Sequence, residues 1–350
     1  MYFLKLVICS FLIIAVSANA QLVKSPENVE AFKQAQNCYK AALESDQQVE
    51  IAECAEKALQ SGQLIFKSDS KNIAALTYNY GLSLVDLDKQ KSLKTLKTAV
   101  GLYEEIYGKD SPELVDVLFD ARQFQRALRV VESTEGKTSV MYAQIALDAS
   151  ILMVSDRATT KSELNQSSRF AREAYDIFNK EFGSKALGTT LASFQLGKNK
   201  MVLGQYKSSI PFFEIALNNP SVGQYAHGFL IPVYEKLGQS DLATFHAQEL
   251  GKLLPDREGQ DYIPVIVKNP KYPKKAQRKG KEGYVIIELT ISKEGLALDP
   301  VVIEEKPKGQ KFGKAALKAA SSLRYVPRFV DGEPEEVPGV LYEYTFKMAR

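Results

Sequence analysis

Residues 196–220, LGKNKMVLGQYKSSIPFFEIALNNP, decide the architecture of most of this chain. Apolar and small side chains recur there every three or four residues, which is the period of one face of an α-helix. The polar pair Gly204-Gln205 interrupts them, and Pro220 follows the second run. This pattern predicts two helices joined by a tight turn. The pair Gly238-Gln239 occupies the same turn 34 residues further on, so the unit is a repeat.

The same helical pattern extends outward over residues 27–255. Tyr80-Gly81 begins another unit, and the helix-then-glycine ending at Tyr107-Gly108 recurs at Phe182-Gly183. The pattern predicts about five helix pairs, with the stretch 112–138 the least regular in its spacing. A single pair cannot bury its apolar face, so neighbouring pairs are expected to stack into a solenoid.

The spacing of these side chains resembles the tetratricopeptide repeat. The residues that carry the resemblance are Leu196, Gly197, Met201, Tyr206, Ser209, Phe213, Ala216 and Pro220. In that family a small residue in the first helix lets the second helix pack closely. The resemblance implies an interaction surface for a protein ligand, which the sequence does not identify. No binding residue is assigned within the repeats.

The pattern changes to a mixture of strands and helices after residue 257. The expected elements are a short helix, two hairpin strands, a helix and a final strand, over residues 273–280, 284–291, 296–304, 310–323 and 339–347. Along the first strand, Val285, Ile287, Leu289 and Ile291 point to one side. These elements predict a small α+β domain in which a helix covers one face of a sheet.

An ordered set of positions in this segment resembles the C-terminal domain of the TonB family. They are Tyr272-Pro273, Ala276, Gly280, Glu282-Gly283, Val285, Gly295, Phe312, Ala315-Ala316, Ala319, Tyr325, Pro327, Gly332 and Phe346. The resemblance implies a periplasmic domain that binds outer-membrane TonB-dependent transporters, which serve energised import of scarce nutrients such as iron chelates. It also implies the binding mode, in which a transporter peptide adds as a strand beside the domain's last strand.

Two segments correspond by position to the family's binding residues. They are Asn269, Pro270, Lys271, Tyr272 and Pro273, with Asn in place of the family's usual Gln, and Leu341, Tyr342, Glu343, Tyr344, Thr345 and Phe346. For Asn269 and Tyr272, peptide contact and packing at the domain entrance both remain open. Tyr344 and Phe346 are expected in the core, because strand pairing uses the backbone. The exposed last strand could also pair a second copy of the chain into a homodimer.

The chain departs from the energy-transducing members of the TonB family. Those members have an N-terminal membrane helix whose histidine couples to an inner-membrane proton-channel complex, whereas His227 and His246 here lie in the repeats. A helical solenoid replaces their proline-rich spacer, and Leu323 stands where they usually have tryptophan. Two functions therefore remain open. One is a TonB-like partner of transporters, and the other is a non-transducing periplasmic adaptor that uses its repeats as a scaffold.

Residues 1–20, MYFLKLVICSFLIIAVSANA, predict a secretory signal peptide with cleavage between Ala20 and Gln21. The apolar run 6–16 is shorter than the roughly 20 residues that span a bilayer. Cleavage would release the protein into the periplasm of a Gram-negative envelope, and an uncleaved segment would attach it to the inner membrane. The predicted division is a signal peptide at 1–20, helical repeats at 21–257 and the TonB-like domain at 258–350.

Export also bears on the two cysteines of the repeats, because secretory compartments favour disulfides. Cys38 and Cys54 lie on two predicted antiparallel helices of one hairpin. A disulfide between them and a pair of small buried thiols both fit the sequence. Neither interpretation makes a cysteine a nucleophile, since no histidine lies nearby in the sequence to activate it.

Composition excludes several classes of function. The formal net charge of +3 provides no basic excess for nucleic-acid binding. Two histidines and three cysteines are too few for an elaborate metal centre, and no phosphate loop or catalytic motif occurs. We expect no enzymatic activity, no cofactor and no metal. The basic run between Lys271 and Lys281 is expected to be a solvated helix face, the alternative being attraction to acidic peptides, lipid head groups or peptidoglycan.

Overall fold

The computed structural model describes residues 25–154, 159–254 and 262–348. The predicted signal peptide with its cleavage site at Ala20 and Gln21 lies outside these ranges, and so does the predicted boundary at 257/258. A search of the described ranges finds no helix with the length and apolar character that a membrane span needs. The chain forms two compact units, Met1–Ile145 and Ala146–Arg350.

The first unit consists of consecutive helix pairs. Its helices are α1 (Pro26–Ser45), α2 (Gln48–Gln63), α3 (Lys71–Ser83), α4 (Lys89–Tyr107), α5 (Val115–Asp120) and α6 (Phe124–Thr134), with a 3-10 turn at Pro112–Leu114. Side-chain oxygens of Ser25, Ser70 and Asp88 accept N–H bonds at the starts of α1, α3 and α4. Such caps satisfy donors that a helix start leaves unpaired. Phe119 and Phe124 pack edge to face between α5 and α6, so the irregular stretch 112–138 holds a complete pair.

The second unit begins within α7 (Val140–Met153) and continues the pairs. The next helices are α8 (Lys161–Phe182), α9 (Leu187–Val202), α10 (Tyr206–Ala216), α11 (Pro220–Lys236) and α12 (Ser240–Leu253). The described residues therefore contain six helix pairs before residue 254, one more than the sequence predicts. Helix α7 is difficult to recognise from its period, because exposed positions such as Val140, Met141 and Ile151 are as apolar as its buried residues 145–147.

Small residues set how closely paired helices approach one another. A Cβ added to Gly197 of α9 would lie 2.7 Å from the ring of Phe213 on α10, which is fully buried. Gly81 of α3 meets Leu96 of α4 in the same way, at 2.8 Å. These glycines thus allow the second helix of each pair to pack closely on the first, as the resemblance to the tetratricopeptide repeat implies.

Residues 262–348 form the strand-containing part of the second unit. The elements are α13 (Lys274–Arg278), β1 (Gly283–Ile291), β2 (Ala297–Lys306), α14 (Phe312–Ala320), β3 (Arg328–Val330), β4 (Glu333–Glu335) and β5 (Val337–Phe346). Three strands make an antiparallel sheet in the order β2-β1-β5, and β3 pairs with β4 in a separate hairpin. The four apolar side chains of β1 that alternate in the sequence are at most 2% exposed and pack in one core with α14. The predicted fold class, a helical repeat solenoid followed by a small α+β domain, is confirmed.

Helix α14 is shorter than the predicted helix over 310–323. Lys311 has a φ of 63°, so the regular helix begins only at Phe312. At the other end, Arg324 forms isolated β-bridges, one of them with Ile266. These bridges need extended backbone, and the helix therefore ends before them.

A disulfide joins Cys38 on α1 to Cys54 on α2, and the two Cα atoms lie 5.6 Å apart. The Cys54 side chain is buried, 1% exposed, among residues of the first helix pair. The bond therefore crosslinks two helices that already pack together, across a sequence separation of 16 residues.

We predict that Gly197→Ala destabilises the protein although alanine is the better helix former. Overpacking a buried ring costs about 1–3 kcal/mol, against a propensity gain of about 1 kcal/mol. Gly101→Ala on α4 is the matched control, because a Cβ there meets nothing within 4 Å and should raise the melting temperature. Thermal unfolding followed by circular dichroism measures both. A Gly197→Ala protein that melts at or above the parent temperature contradicts the close packing.

We predict that neither Cys38 nor Cys54 reacts with iodoacetamide in denaturant until a reductant is added. Replacing both by alanine is expected to destabilise the first helix pair by about 3 kcal/mol, because a short closed loop restricts the unfolded chain. Hydrogen exchange should then rise in α1 and α2 and stay unchanged in α11 and α12, which serve as the internal control. Labelling of both cysteines without reductant contradicts the crosslink.

Candidate functional site

The last strand, β5, lies at an edge of the three-stranded sheet. Within the described residues it pairs with β1 alone, from Phe346 opposite Gly283 to Val337 opposite Ile291. In an antiparallel pair, alternate residues direct their N–H and C=O groups away from the neighbouring strand. β5 thus presents a row of main-chain donors and acceptors, an arrangement that can accept an added strand.

The side chains of β5 alternate between the core and the solvent. Tyr344 and Phe346 are 3% and 2% exposed, whereas Leu341 is 59% exposed. Glu343 and Thr345 are also exposed. Tyr344 and Phe346 therefore pack the strand against the core. The side chains of Leu341, Glu343 and Thr345 are accessible to the side chains of an added strand.

Tyr342 lies between these extremes, partly buried against the core of the domain. Its ring packs edge to face on Tyr344 with centroids 4.9 Å apart. Burial raises the pKa of Tyr342 and Tyr344 above the usual range, so both phenols stay neutral at physiological pH. The hydroxyls of Tyr344 and Tyr325 have no hydrogen-bond partner within the described part of the chain. The side of β5 that faces the core is therefore uncharged.

Tyr272 connects the predicted segment 269–273 to the end of β5. Its ring packs edge to face on Phe312 at 5.8 Å and on Phe346 at 5.6 Å. Its hydroxyl donates a hydrogen bond of 2.7 Å to the carbonyl oxygen of Lys281. These contacts give Tyr272 a packing role at one end of the sheet.

The neighbours of Tyr272 differ in how far they are accessible. Asn269 and Lys271 are exposed, and Pro270 and Pro273 are partly buried. Asn269 and Lys271 are thus the members of this segment whose polar side chains are open to contact. The ring contact with Phe346 brings Tyr272 to the end of β5. Asn269, three residues earlier in the chain, lies on the surface.

The basic run lies on the surface of the short helix α13 and its flanks. Its exposed members are Lys271, Lys274, Lys275, Arg278, Lys279 and Lys281. Ala276 is fully buried and anchors the helix to the core. Their exposure agrees with the prediction of a solvated helix face. Near them, the backbone N–H of Met348 donates to Glu282 at 2.7 Å and fixes the chain just after β5.

Arg324 attaches the sheet domain to the last helix pair. The side chain is 5% exposed and donates hydrogen bonds to Glu235 of α11, at 2.8 Å from Nε, and to Thr244 of α12, at 2.9 Å. It also donates to the carbonyl oxygen of Glu294, at 3.3 Å. One guanidinium thus joins α11, α12 and the β1–β2 turn.

The same contact depends on a glycine in α12. A Cβ at Gly251 would lie 2.7 Å from the carbonyl oxygen of Pro327 and 2.8 Å from the ring of Phe329. Val265 and Ile266 pack against the helical core formed around Leu230. Sequence analysis missed this interface, because partners about 90 positions apart leave no periodic signal. The sequence offers one signal for it: the charged Arg324 stands between the apolar residues Leu323 and Tyr325, where a buried arginine needs a partner.

Comparison with known proteins assigns the strand-containing part of the chain. Residues 268–348 match the family described as Gram-negative bacterial TonB protein C-terminal. The resemblance to the TonB family is thereby confirmed for this segment, which we call the TonB-like domain. The match implies a location in the cell envelope and interaction with outer-membrane proteins. Sequence comparison with curated proteins gives no match.

Several solved structures are similar to this chain at low sequence identity. One is a Podosopora anserina protein described as a kinesin light chain with nearly identical TPR-like repeats, at 11% identity and a TM-score of 0.37, covering 66% of this chain and 97% of that one. BtubC from P. vanneervenii has 13% identity, a TM-score of 0.36 and coverages of 68% and 99%. Pseudomonas aeruginosa pilF has 8% identity, a TM-score of 0.36 and coverages of 66% and 96%. Repeats and TonB-like domains are typically non-enzymatic. The described ranges contain no group of three or more His, Cys, Asp or Glu residues arranged to hold a metal ion.

We predict that Arg324→Met destabilises the TonB-like domain, because it leaves Glu235 without its cationic partner in a partly buried position. The Glu235 side chain keeps 26% of its exposure, so the cost should be about 2 kcal/mol rather than that of a fully buried pair. Arg278→Met, at an exposed arginine of α13, is the control and should change stability by less than about 0.5 kcal/mol.

A double-mutant cycle with Glu235→Gln tests whether the two side chains act together. Their coupling in thermal or denaturant unfolding should exceed about 1 kcal/mol. Additive effects of the two substitutions contradict a direct pair.

Proposed function

We propose that the protein binds outer-membrane TonB-dependent transporters through its TonB-like domain and takes part in the import of scarce nutrients such as iron chelates. The observation that supports this most directly is the open edge of β5 in a domain that matches the TonB C-terminal family. A transporter's N-terminal segment would add as a fourth strand beside β5. Backbone hydrogen bonds would supply most of the affinity.

The dimensions of β5 suit such a ligand. The strand has ten residues, and at about 3.3 Å per residue it offers an edge of about 33 Å. The exposed side chains Leu341, Glu343 and Thr345 would lie beside alternate side chains of the added strand. Selectivity would come from these contacts and from Asn269 at the end of the sheet.

A role in energy transduction would need a link to the inner-membrane proton-channel complex. Transmission of a pulling force requires attachment at both ends, and the first twenty residues would provide one end only if they are retained. The proposal therefore places transporter binding first and makes direct coupling to the proton-driven complex depend on the state of the N-terminus. A mature protein that begins at Gln21 would bind without pulling.

A non-transducing periplasmic adaptor is the second candidate. The helical repeats support it, because stacked helix pairs offer a large surface for protein ligands. The Arg324 contact also favours it, since a domain fastened to α11 and α12 is suited to holding two partners at a fixed distance. In this function the β5 edge would bind an envelope protein other than a transporter, or a second copy of the chain.

Site-specific photocrosslinking in Gram-negative cells tests the proposal with the full-length protein. A photoreactive phenylalanine at Leu341 or Glu343 is expected to crosslink to the N-terminal segment of a TonB-dependent transporter. The matched control is Ile303, which is 57% exposed and lies on β2, the outer strand at the other edge of the sheet. A photoreactive residue there should give no such adduct. Adducts with another envelope protein at these positions favour the adaptor, and no adduct at either contradicts strand addition.

A further inference from the structure

An aromatic strip on α9, α10 and α11 runs from the core to the surface of the second unit. Phe194 packs edge to face on Phe213 at 5.7 Å and on Phe229 at 5.2 Å, and its centroid lies 6.4 Å from that of Tyr225. Phe213 is fully buried, whereas Tyr225 is 43% exposed. The strip therefore ends in an accessible phenol ring.

One lysine of this strip has no anionic partner among the described residues. Lys198 follows Phe194 by one turn of α9, and its Nζ is 5.8 Å from the centroid of that ring. Within the described residues, Lys198 makes this cation–π contact, and no carboxylate forms an ion pair with it. Part of the side chain remains open to solvent.

Such a lysine is costly to the folded protein. Moving an ammonium group out of water is unfavourable unless an anion or hydrogen-bond acceptors compensate. Burial accordingly lowers the pKa of Lys198 below its usual range, with no opposing charge. A cation–π contact offsets only part of this cost. The positive charge of Lys198 would therefore be compensated by a carboxylate of a bound partner.

The backbone of α9 around Lys198 distinguishes a side-chain carboxylate from a terminal carboxylate as the ligand. Capture of a peptide's terminal carboxylate uses free backbone N–H groups, but the N–H groups around Lys198 are committed to hydrogen bonds within α9. A lysine ammonium is a compact point charge without the fork that arginine offers to a phosphate. These properties favour one side-chain carboxylate. The exposed ring of Tyr225 would contact an apolar side chain next to it.

We propose that Lys198, Phe194 and Tyr225 form a docking site for an aspartate or glutamate side chain of a partner protein, flanked in the partner's sequence by an apolar residue. The site deepens the scaffold role of the repeats by specifying the chemistry of their ligand. It involves no residue of the β5 edge, so it stands or falls separately from strand addition.

Selection from a random peptide display library against the full-length protein tests the site. Selected peptides should be enriched in Asp or Glu beside an aromatic or aliphatic residue. The best peptide, synthesised with an amidated C-terminus, should bind Lys198→Met at least about 10-fold more weakly in fluorescence polarisation. Lys207→Met is the matched control, because it removes an exposed charge from the neighbouring helix α10 and should change the affinity less than about 2-fold.

Three further outcomes decide the proposal. Changing the peptide's acidic residue to its amide should cause the same loss as Lys198→Met and cause no further loss in that variant. Lys198→Met should melt at or above the parent temperature, because methionine removes the cost of the partly desolvated charge. Equal affinity of the Lys198→Met and parent proteins, selected peptides without acidic residues, or a lowered melting temperature would each overturn the docking site. Photocrosslinking through Leu341 should be unaffected by Lys198→Met, which separates this result from the outcome at β5.

Discussion

The central position of β1 is the constraint on which the C-terminal part of the structure depends. Its buried side chains Val285, Ile287 and Leu289 fill the core under α14, so β1 takes the middle of the sheet. Only two outer places then remain, and β5 occupies one of them. The open edge is therefore a consequence of how the core is filled. A three-stranded sheet cannot hide its outer strands without another element over them.

The attachment of this domain to α11 and α12 bears on how a bound peptide would be presented. Arg324 is buried and makes hydrogen bonds to Glu235 and Thr244, while Gly251 leaves room for Phe329. A proline-rich spacer would place the domain at the end of a semi-rigid, extended chain, without packed helices against it. Here the contacts hold the domain against the last repeat, so a load on β5 would pass into packed helices.

The sequence predicts those features that arise from local periodicity and leaves out those that arise from distant contacts. Alternation in β1 and β5 and the helical spacing around Leu196 identify elements and their buried faces, because burial repeats along the chain at fixed intervals. Helix α7 lacks such a signal, since apolar residues such as Met141 and Ile151 also occupy its exposed positions. The end of α14 is set by the bridges of Arg324 to another segment. For the candidate site, position in the resembled family indicates β5, but Tyr272 is shown to pack on Phe346 only by the structure.

The β5 edge and the Lys198 site would recognise ligands by different physical means, and the difference assigns them different tasks. Strand addition uses backbone groups that every peptide has, so it tolerates many sequences and discriminates weakly. A partly buried ammonium in an aromatic strip discriminates strongly, because a neutral ligand leaves its charge uncompensated. A partner that carried both an edge-binding segment and an acidic segment would bind the second site intramolecularly after engaging the first. Because contacts such as that of Arg324 hold the sheet domain to the repeats, the spacing between the two segments would itself become a criterion for selecting the partner.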